Sequence, residues 1–263
     1  MIYCFSGTGN TRHVAEMLAR RLGHEVHHFT ASELCEPAET VLESSDKLII
    51  WAFPTYSWGV PPVVRAIIRK AAFRFTGSNT VHIAVTTCGD DIGNMAKMFR
   101  RDIESRGAAS GAVFSVQMPN TYVMMKGFDV DPDDVARRKI EAAQGRVDAI
   151  ARAITAGKVS PSDDMTVRGA FPGVKTSIIY PWFVRHDMSP DGFRVDAAKC
   201  ISCGKCVRAC PMDNISFDTA NHPQWGERCA FCTACYHICP VKAISWKKTT
   251  KNKGQSQYFD IAK

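Results

Sequence analysis

The 263-residue sequence has no apolar run near the ~18 residues a membrane-spanning helix needs. Its longest strongly apolar stretch is Leu48 to Phe53. Met1 leads straight into an apolar segment, Ile2 to Phe5, so no secretory leader is legible and a cytoplasmic setting is expected. The loop after that segment lacks the lysine of phosphate-binding hydrolase loops, which argues against nucleotide hydrolysis. It also lacks G-x-G-x-x-G, which argues against a dinucleotide site. No nucleophile or acid–base constellation stands out, so hydrolytic or group-transfer chemistry is not indicated. The formal charge of +7 is not a broad basic surface: over half of the excess falls in residues 247–263. Nucleic acid is therefore not an expected partner.

Cysteine, by contrast, is abundant. Disulfide scaffolds are short and secreted, whereas eight of the eleven cysteines here sit in one compact region. They form two runs, Cys200-x2-Cys203-x2-Cys206-x3-Cys210-Pro211 and Cys229-x2-Cys232-x2-Cys235-x3-Cys239-Pro240, offset by 29 residues. The offset extends beyond cysteine, pairing Lys199 with Arg228, Ile215 with Ile244, Ser216 with Ser245 and Phe217 with Trp246. The region is thus an internal repeat of two short units. Three thiolates at two-residue gaps bind three corners of a cubic cluster from one loop, and the fourth cysteine of each run serves the other cluster. The expected sets are Cys200, Cys203, Cys206 and Cys239, and Cys229, Cys232, Cys235 and Cys210. Structural zinc is the alternative, but zinc sites show separated cysteine pairs rather than triplets followed by Cys-Pro. The region resembles the bacterial-type two-cluster ferredoxins along its whole length.

The first 157 residues alternate strand and helix. Strands are expected at Ile2–Phe5, Glu25–Phe29, Lys47–Phe53, Val81–Thr86 and Ala112–Met118. Helices are expected at residues 11–22, Pro61–Ala72, Ile92–Glu104 and Asp131–Thr155. This pattern predicts an α/β fold, a parallel sheet covered on both faces. The loop Ser6-Gly7-Thr8-Gly9-Asn10-Thr11, between a strand and a helix, offers amides and hydroxyls to an anion. It resembles the FMN-phosphate loop of flavodoxins. That resemblance implies a doubly wound, five-stranded sheet and two loops against the flavin ring. These are Pro54-Thr55-Tyr56-Ser57-Trp58-Gly59 and Thr87-Cys88-Gly89-Asp90, with Asn120 nearby. The alternative is a flavodoxin-like domain that has lost its flavin.

The expected domains are therefore a flavodoxin-like FMN domain at 1–157, a partly packed linker at 158–192, a small α+β ferredoxin domain at 193–246 and a mobile basic tail at 247–263. The order resembles the fused flavodoxin–ferredoxin family of anaerobic bacteria and archaea. It implies FMN, two [4Fe–4S] clusters and protein redox partners. The leading expectation is an electron-transfer protein linking one-electron and two-electron carriers. The alternatives are an FMN-dependent reductase of a quinone, nitro or azo compound, and a non-redox metal module. Tyr56 and Trp58 are read as flavin-stacking residues rather than surface aromatics. Cys88 is read as a neutral packing residue, Cys4 as core, Cys35 as inert, and His27 and His28 as solvated surface. Asp90 and Asp91 read as helix-capping acids that would disfavour negative charge on a nearby flavin.

Overall fold

The computed structural model describes residues 1–76, 79–256 and 259. The apolar runs become strands and the amphipathic runs become helices. In chain order these are β1 (Ile2–Cys4), α1 (Asn10–Leu22), β2 (Val26–His28), α2 (Ala31–Cys35), β3 (Val41–Ser44), β4 (Leu48–Pro54), α3 (Pro62–Lys70), β5 (Ala72–Phe75), β6 (Val81–Cys88), α4 (Met95–Glu104), β7 (Ala109–Gln117) and α5 (Asp133–Thr155). Five strands form one parallel sheet in the order β2-β1-β4-β6-β7. Counting only these strands, the order is 2-1-3-4-5, the flavodoxin-like arrangement.

Alternate residues of the central strands feed opposite faces, as strand geometry requires. Ile49, Trp51 and Phe53 of β4 meet α3 and α4 through Val64, Ile67, Phe99 and Ile103. Ile50 and Ala52 meet α1 and α5 through Val14, Leu18, Val147 and Ile150. Beneath the first face Asp102 is fully buried and bonded to Arg65 and Arg69, which ties α3 to α4. The sheet's order change lies between β1 and β4, so the loops after β1, β4 and β6 converge at one carboxyl edge.

Two features depart from the expected elements. A second parallel pair, β3 with β5, lies outside the main sheet, and the helix expected to reach Ala72 stops at Lys70 where this pair begins. Residues 172–186 are helical throughout: α6 (Pro172–Val174), a π-helical turn (Lys175–Ile179) and α7 (Tyr180–His186).

The cysteine region is built from β8 (Phe193–Val195), α8 (Lys205–Arg208), β9 (Ile215–Phe217), β10 (Pro223–Trp225), α9 (Ala234–Ile238) and β11 (Ile244–Trp246). The antiparallel pairs β10–β9 and β11–β8 reproduce the repeat. The apolar core below α3 and α4 continues into this region through Phe183, Phe193, Phe231 and Trp246. The tail is not free where it is described. Lys253 Nζ donates to the carbonyls of Val123 and Met125 at 2.7 and 2.5 Å, Gly254 N donates to Asp129, and Tyr236 OH donates to Lys253 O. Residues 257, 258 and 260–263 lie outside the described residues. Among the described residues, no helix is long and apolar enough to cross a membrane.

Candidate functional site

Three loops meet at the carboxyl edge of the sheet around a cavity of about 350 Å³. The first runs from β1 into α1. Gly9 precedes that helix with φ 90°, a conformation glycine adopts without strain. No acidic side chain stands in the first turn of α1, so the positive end of its dipole meets the cavity with no carboxylate beside it. Asn10 Nδ2 donates to Pro119 O at 2.9 Å, and the Thr11 and Thr87 hydroxyls are hydrogen-bonded at 2.7 Å. These bonds fix the first loop against the other edges of the cavity. Ser6 Oγ is buried with no hydrogen-bond partner among the described residues. An orphaned hydroxyl at a helix N-terminus fits a phosphate oxygen.

The second loop follows β4. Tyr56 and Gly59 exchange backbone hydrogen bonds at 3.0 and 2.9 Å, which closes a tight turn. Ser57 and Trp58 occupy it with φ of 43° and 61°. Left-handed conformations cost a non-glycine residue roughly 1–2 kcal/mol each, and the 172–186 helical segment holds them in place. Thr176 Oγ1 donates to Trp58 O at 2.8 Å, Lys175 Nζ stands 5.0 Å from the Trp58 ring centroid, and Tyr180 OH donates to Val60 O at 2.6 Å. Tyr180 lies flat against Gly59, where a Cβ would strike its ring. The third loop follows β6. Asp91 is bound by Lys175 at 2.6 Å, so one of the two acids expected to repel negative charge is neutralised. Burial, aided by Asp91 and Asp90, pushes the Cys88 thiol up to about 12, against small opposing effects of Lys139 and Arg146. Cys88 is a neutral thiol in the wall.

Of the sequence-predicted residues, Ser6, Gly7, Thr8, Asn10, Thr11, Pro54, Thr55, Tyr56, Ser57, Trp58, Thr87, Cys88, Gly89, Asp90 and Asn120 line this cavity. Gly9 and Gly59 do not; they shape the turns behind it. The rest of the wall includes residues outside the three flavin loops. Tyr122, Met125 and Phe128 lie beyond β7, Ile179 and Phe183 on the helical segment, and Phe231, Cys232 and Thr233 in the cysteine region. Tyr56 OH and Tyr122 OH are buried without partners among the described residues, and burial raises both phenols well above the usual range. A cavity with an apolar wall and buried, unanswered hydroxyls suits a large planar ligand with polar edges such as FMN.

The cysteines separate into the two crossed sets. Cys200, Cys203, Cys206 and Cys239 line one cavity. Cys210, Cys229, Cys232 and Cys235 line the other. Backbone amides donate to sulfur in both: Ala243 N to Cys239 at 3.2 Å, Asn214 N to Cys210 and Phe231 N to Cys229 at 3.3 Å. Burial raises the Cys206 and Cys229 thiols to about 11 and pushes Cys235 well above the ordinary range. Such thiols stay protonated at neutral pH without a compensating cation, and metal coordination removes the proton. Among the described residues, no three His, Cys, Asp or Glu side chains are set to share one metal ion. Four sulfurs around a common cavity with amide donors suit a cluster.

Cys232 belongs to both kinds of site. It lines the second cysteine cavity and the cavity at the sheet edge. A Cβ on Gly7 would lie 2.5 Å from Cys232 Cβ and 2.9 Å from its carbonyl oxygen. His237, fully buried, extends the join. Its Nδ1 accepts from Ser256 N at 3.1 Å, so its Nε2 carries the proton given to Thr121 O at 2.8 Å.

Cys4 lies in the core and Cys35 Sγ is 3.7 Å from Met212 O. His27 faces Glu33 and His28 faces Glu16 at the sheet edge.

The family model for the 4Fe-4S dicluster domain matches residues 193–246. NADH-quinone oxidoreductase subunit I of Pelobacter propionicus is 55% identical over 40 residues, which cover 14% of this chain and 22% of that protein. The chain thus spans about a fifth of that relative's length. A flavodoxin of Streptococcus pneumoniae is 18% identical, with 59% of this chain and 95% of that chain covered at a TM-score of 0.33. The NAD(P)H:quinone oxidoreductase from Methanothermobacter marburgensis is 11% identical, with 58% and 92% covered at 0.34.

Proposed function

With a 4Fe–4S domain at residues 193–246 and a flavodoxin-like sheet before it, we propose that the chain is an electron-transfer iron–sulfur flavoprotein. It would carry FMN at the sheet edge and two [4Fe–4S] clusters, one in each cysteine set. The observation that carries this reading is Cys232, which walls both a cysteine cavity and the sheet-edge cavity. FMN takes one or two electrons and each cluster one, so the pair joins one-electron to two-electron carriers.

Ser6 to Thr11 would hold the phosphate. Pro54 to Gly59, Thr87 to Asp90 and Asn120 would position the ring, the two glycines Gly9 and Gly59 through the turns they allow. Tyr122, Phe183 and Phe231 would exclude water from it. The set holding exposed Cys203 would exchange electrons with protein partners, and the set holding Cys232 would face the flavin. In this proposal residues 1–157 and 193–246 are the two functional domains, 158–192 a connecting strap and 247–263 a basic tail. The setting is the cytoplasm.

Anaerobic purification with metal and flavin analysis, followed by reductive titration read optically and by spin resonance, tests the proposal. About eight irons and one FMN per chain, with flavin and clusters titrating together, are expected; a colourless zinc protein would overturn it. A second reading, reduction of a small planar acceptor at the same flavin, draws on the apolar wall of Tyr122, Met125 and Phe128. Turnover with a panel of quinone, nitro and azo compounds tests that one.

A further inference from the structure

The helical segment 172–186 has two unlike faces. One carries Thr176, Ile179, Tyr180 and Phe183 and closes on the flavin-loop region. The other carries Val174, Ile178 and Trp182, continuing the line from Phe171 just before the helix. Steps of four residues place Val174, Ile178 and Trp182 on one stripe, and Phe171, left-handed at φ 50°, stands just before it. Phe171, Val174, Ile178 and Trp182 are 78%, 48%, 64% and 51% exposed. Four large apolar side chains in a row on a solvent face mark an interaction surface rather than scattered exposure.

A groove opens beside this stripe, between α3, α4 and α7. Lys70, Lys97, Arg101 and Arg185 line it and are exposed. Arg65 and Arg69 form its floor above buried Asp102. Among the described residues, no acidic side chain lines it. A concavity walled by cations next to an apolar stripe has the chemistry of a charge-steered protein interface, with Arg and Trp as its anchors.

We propose that this groove and stripe dock a small acidic electron-carrier protein. The proposal rests on the electron-transfer reading above and names the partner class that reading leaves open. The location fits the role, because the same helical segment lines both places: Thr176 and Tyr180 face the groove while Ile179 and Phe183 face the sheet-edge cavity. The cations line a hollow, which suits a projecting acidic surface better than a flat lipid bilayer.

The test uses the holoprotein and an oxidised, strongly acidic plant-type ferredoxin as probe, with binding measured by calorimetry at low and high salt. The variant combines Lys97→Glu, Arg101→Glu and Arg185→Glu. None of these residues lines the cofactor cavities, so flavin and iron content should be unchanged. Binding is expected to weaken at least about tenfold in the variant and to lose most of its salt dependence. Ile178→Ala with Trp182→Ala should weaken it at every salt concentration, and Lys97→Arg with Arg101→Lys and Arg185→Lys should restore it. Equal binding by wild type and the charge-reversed variant, or no binding by wild type, would overturn the proposal. So would capture of wild type, but not the variant, by phosphatidylserine vesicles when the ferredoxin does not bind. Binding is read without electron flow. A chain that binds the ferredoxin but never reduces or oxidises it sinks the electron-transfer reading and leaves the docking site standing.

Discussion

The two halves of the cysteine repeat share a backbone and differ in almost everything they show to their surroundings. Left-handed residues recur at the same offset: Ser202 with Phe231 (φ 51° and 54°), Gly204 with Thr233 (70° and 62°), Asp213 with Lys242 (47° and 51°). The side chains at these positions have parted. Ser202 is exposed and donates to the local Asn221 carbonyl, whereas Phe231 is buried among Phe183, Phe193 and Trp246. Ile201 is 61% exposed, whereas its counterpart Ala230 is buried. Cys203 is exposed, whereas Cys232 faces Gly7. Loop geometry is what four cluster ligands demand, so it is common to both halves. Surface chemistry is what a neighbour demands, so only the second half is apolar and inward.

The largest expected effect separates the halves directly. Cys232→Ala should remove the inner set and abolish flavin reduction through the cysteine region. Cys203→Ala should damage the outer set while leaving the second cluster's spin-resonance signal and the bound flavin in place. Equivalent losses in the two variants would mean that the halves are not functionally polarised. The next effect is on packing. Phe231→Ala should cost roughly 3–5 kcal/mol, the usual range for a buried aromatic, while Ser202→Ala should cost under about 1 kcal/mol. Anaerobic denaturant melts of the holoprotein measure both. A closer test of the join is Gly7→Ala, whose Cβ would meet the Cys232 backbone, which cannot rotate away. About 1–3 kcal/mol of destabilisation and weaker flavin retention are expected. Gly173→Ala, which meets nothing closer than 3.9 Å, is the control.

This asymmetry was invisible in the sequence for a definite reason. Spacing reports what a segment binds for itself, and the cysteine runs and the Ser6–Thr11 loop are local ligand sets of that kind. The continuous apolar runs at β4 and β6 were legible likewise, because strands buried on both faces need no alternation. Contact between Gly7 and Cys232 spans nearly the whole chain and leaves no periodicity. The β3–β5 pair leaves little trace in the sequence because each strand has only four residues, too few for a period to show. The 172–186 helix was missed because Pro172, Gly173 and Pro181 read as a linker. Pro172 in fact opens the segment, where a missing N–H costs little, and Pro181 stands inside it directly after the π-helical turn.

The smallest effect concerns the sheet that carries the inner half's partner loops, and it separates that sheet from the cysteine region by pH. His82 on β6 is buried, accepts from Trp51 Nε1 at its Nδ1 at 3.1 Å, and sits among Phe73 and Phe75. Burial lowers its pKa from 6.5 to about 4. The unfolded chain therefore takes up a proton near pH 6.5 that the folded chain refuses until about pH 4. The stability contribution is whole above pH 6.5, falls as pH drops through that window, and does not fall further below it. By pH 5 the loss relative to neutral pH should be about 2 kcal/mol. Any acid weakness of the cysteine region is common to wild type and a His82→Asn variant, which retains an acceptor for Trp51 but cannot protonate. The difference between their denaturation midpoints from pH 7 to 5 thus isolates the sheet. The stability difference should narrow or reverse by that amount, and parallel curves would show that His82 takes up its proton at the same pH in the folded and unfolded chains.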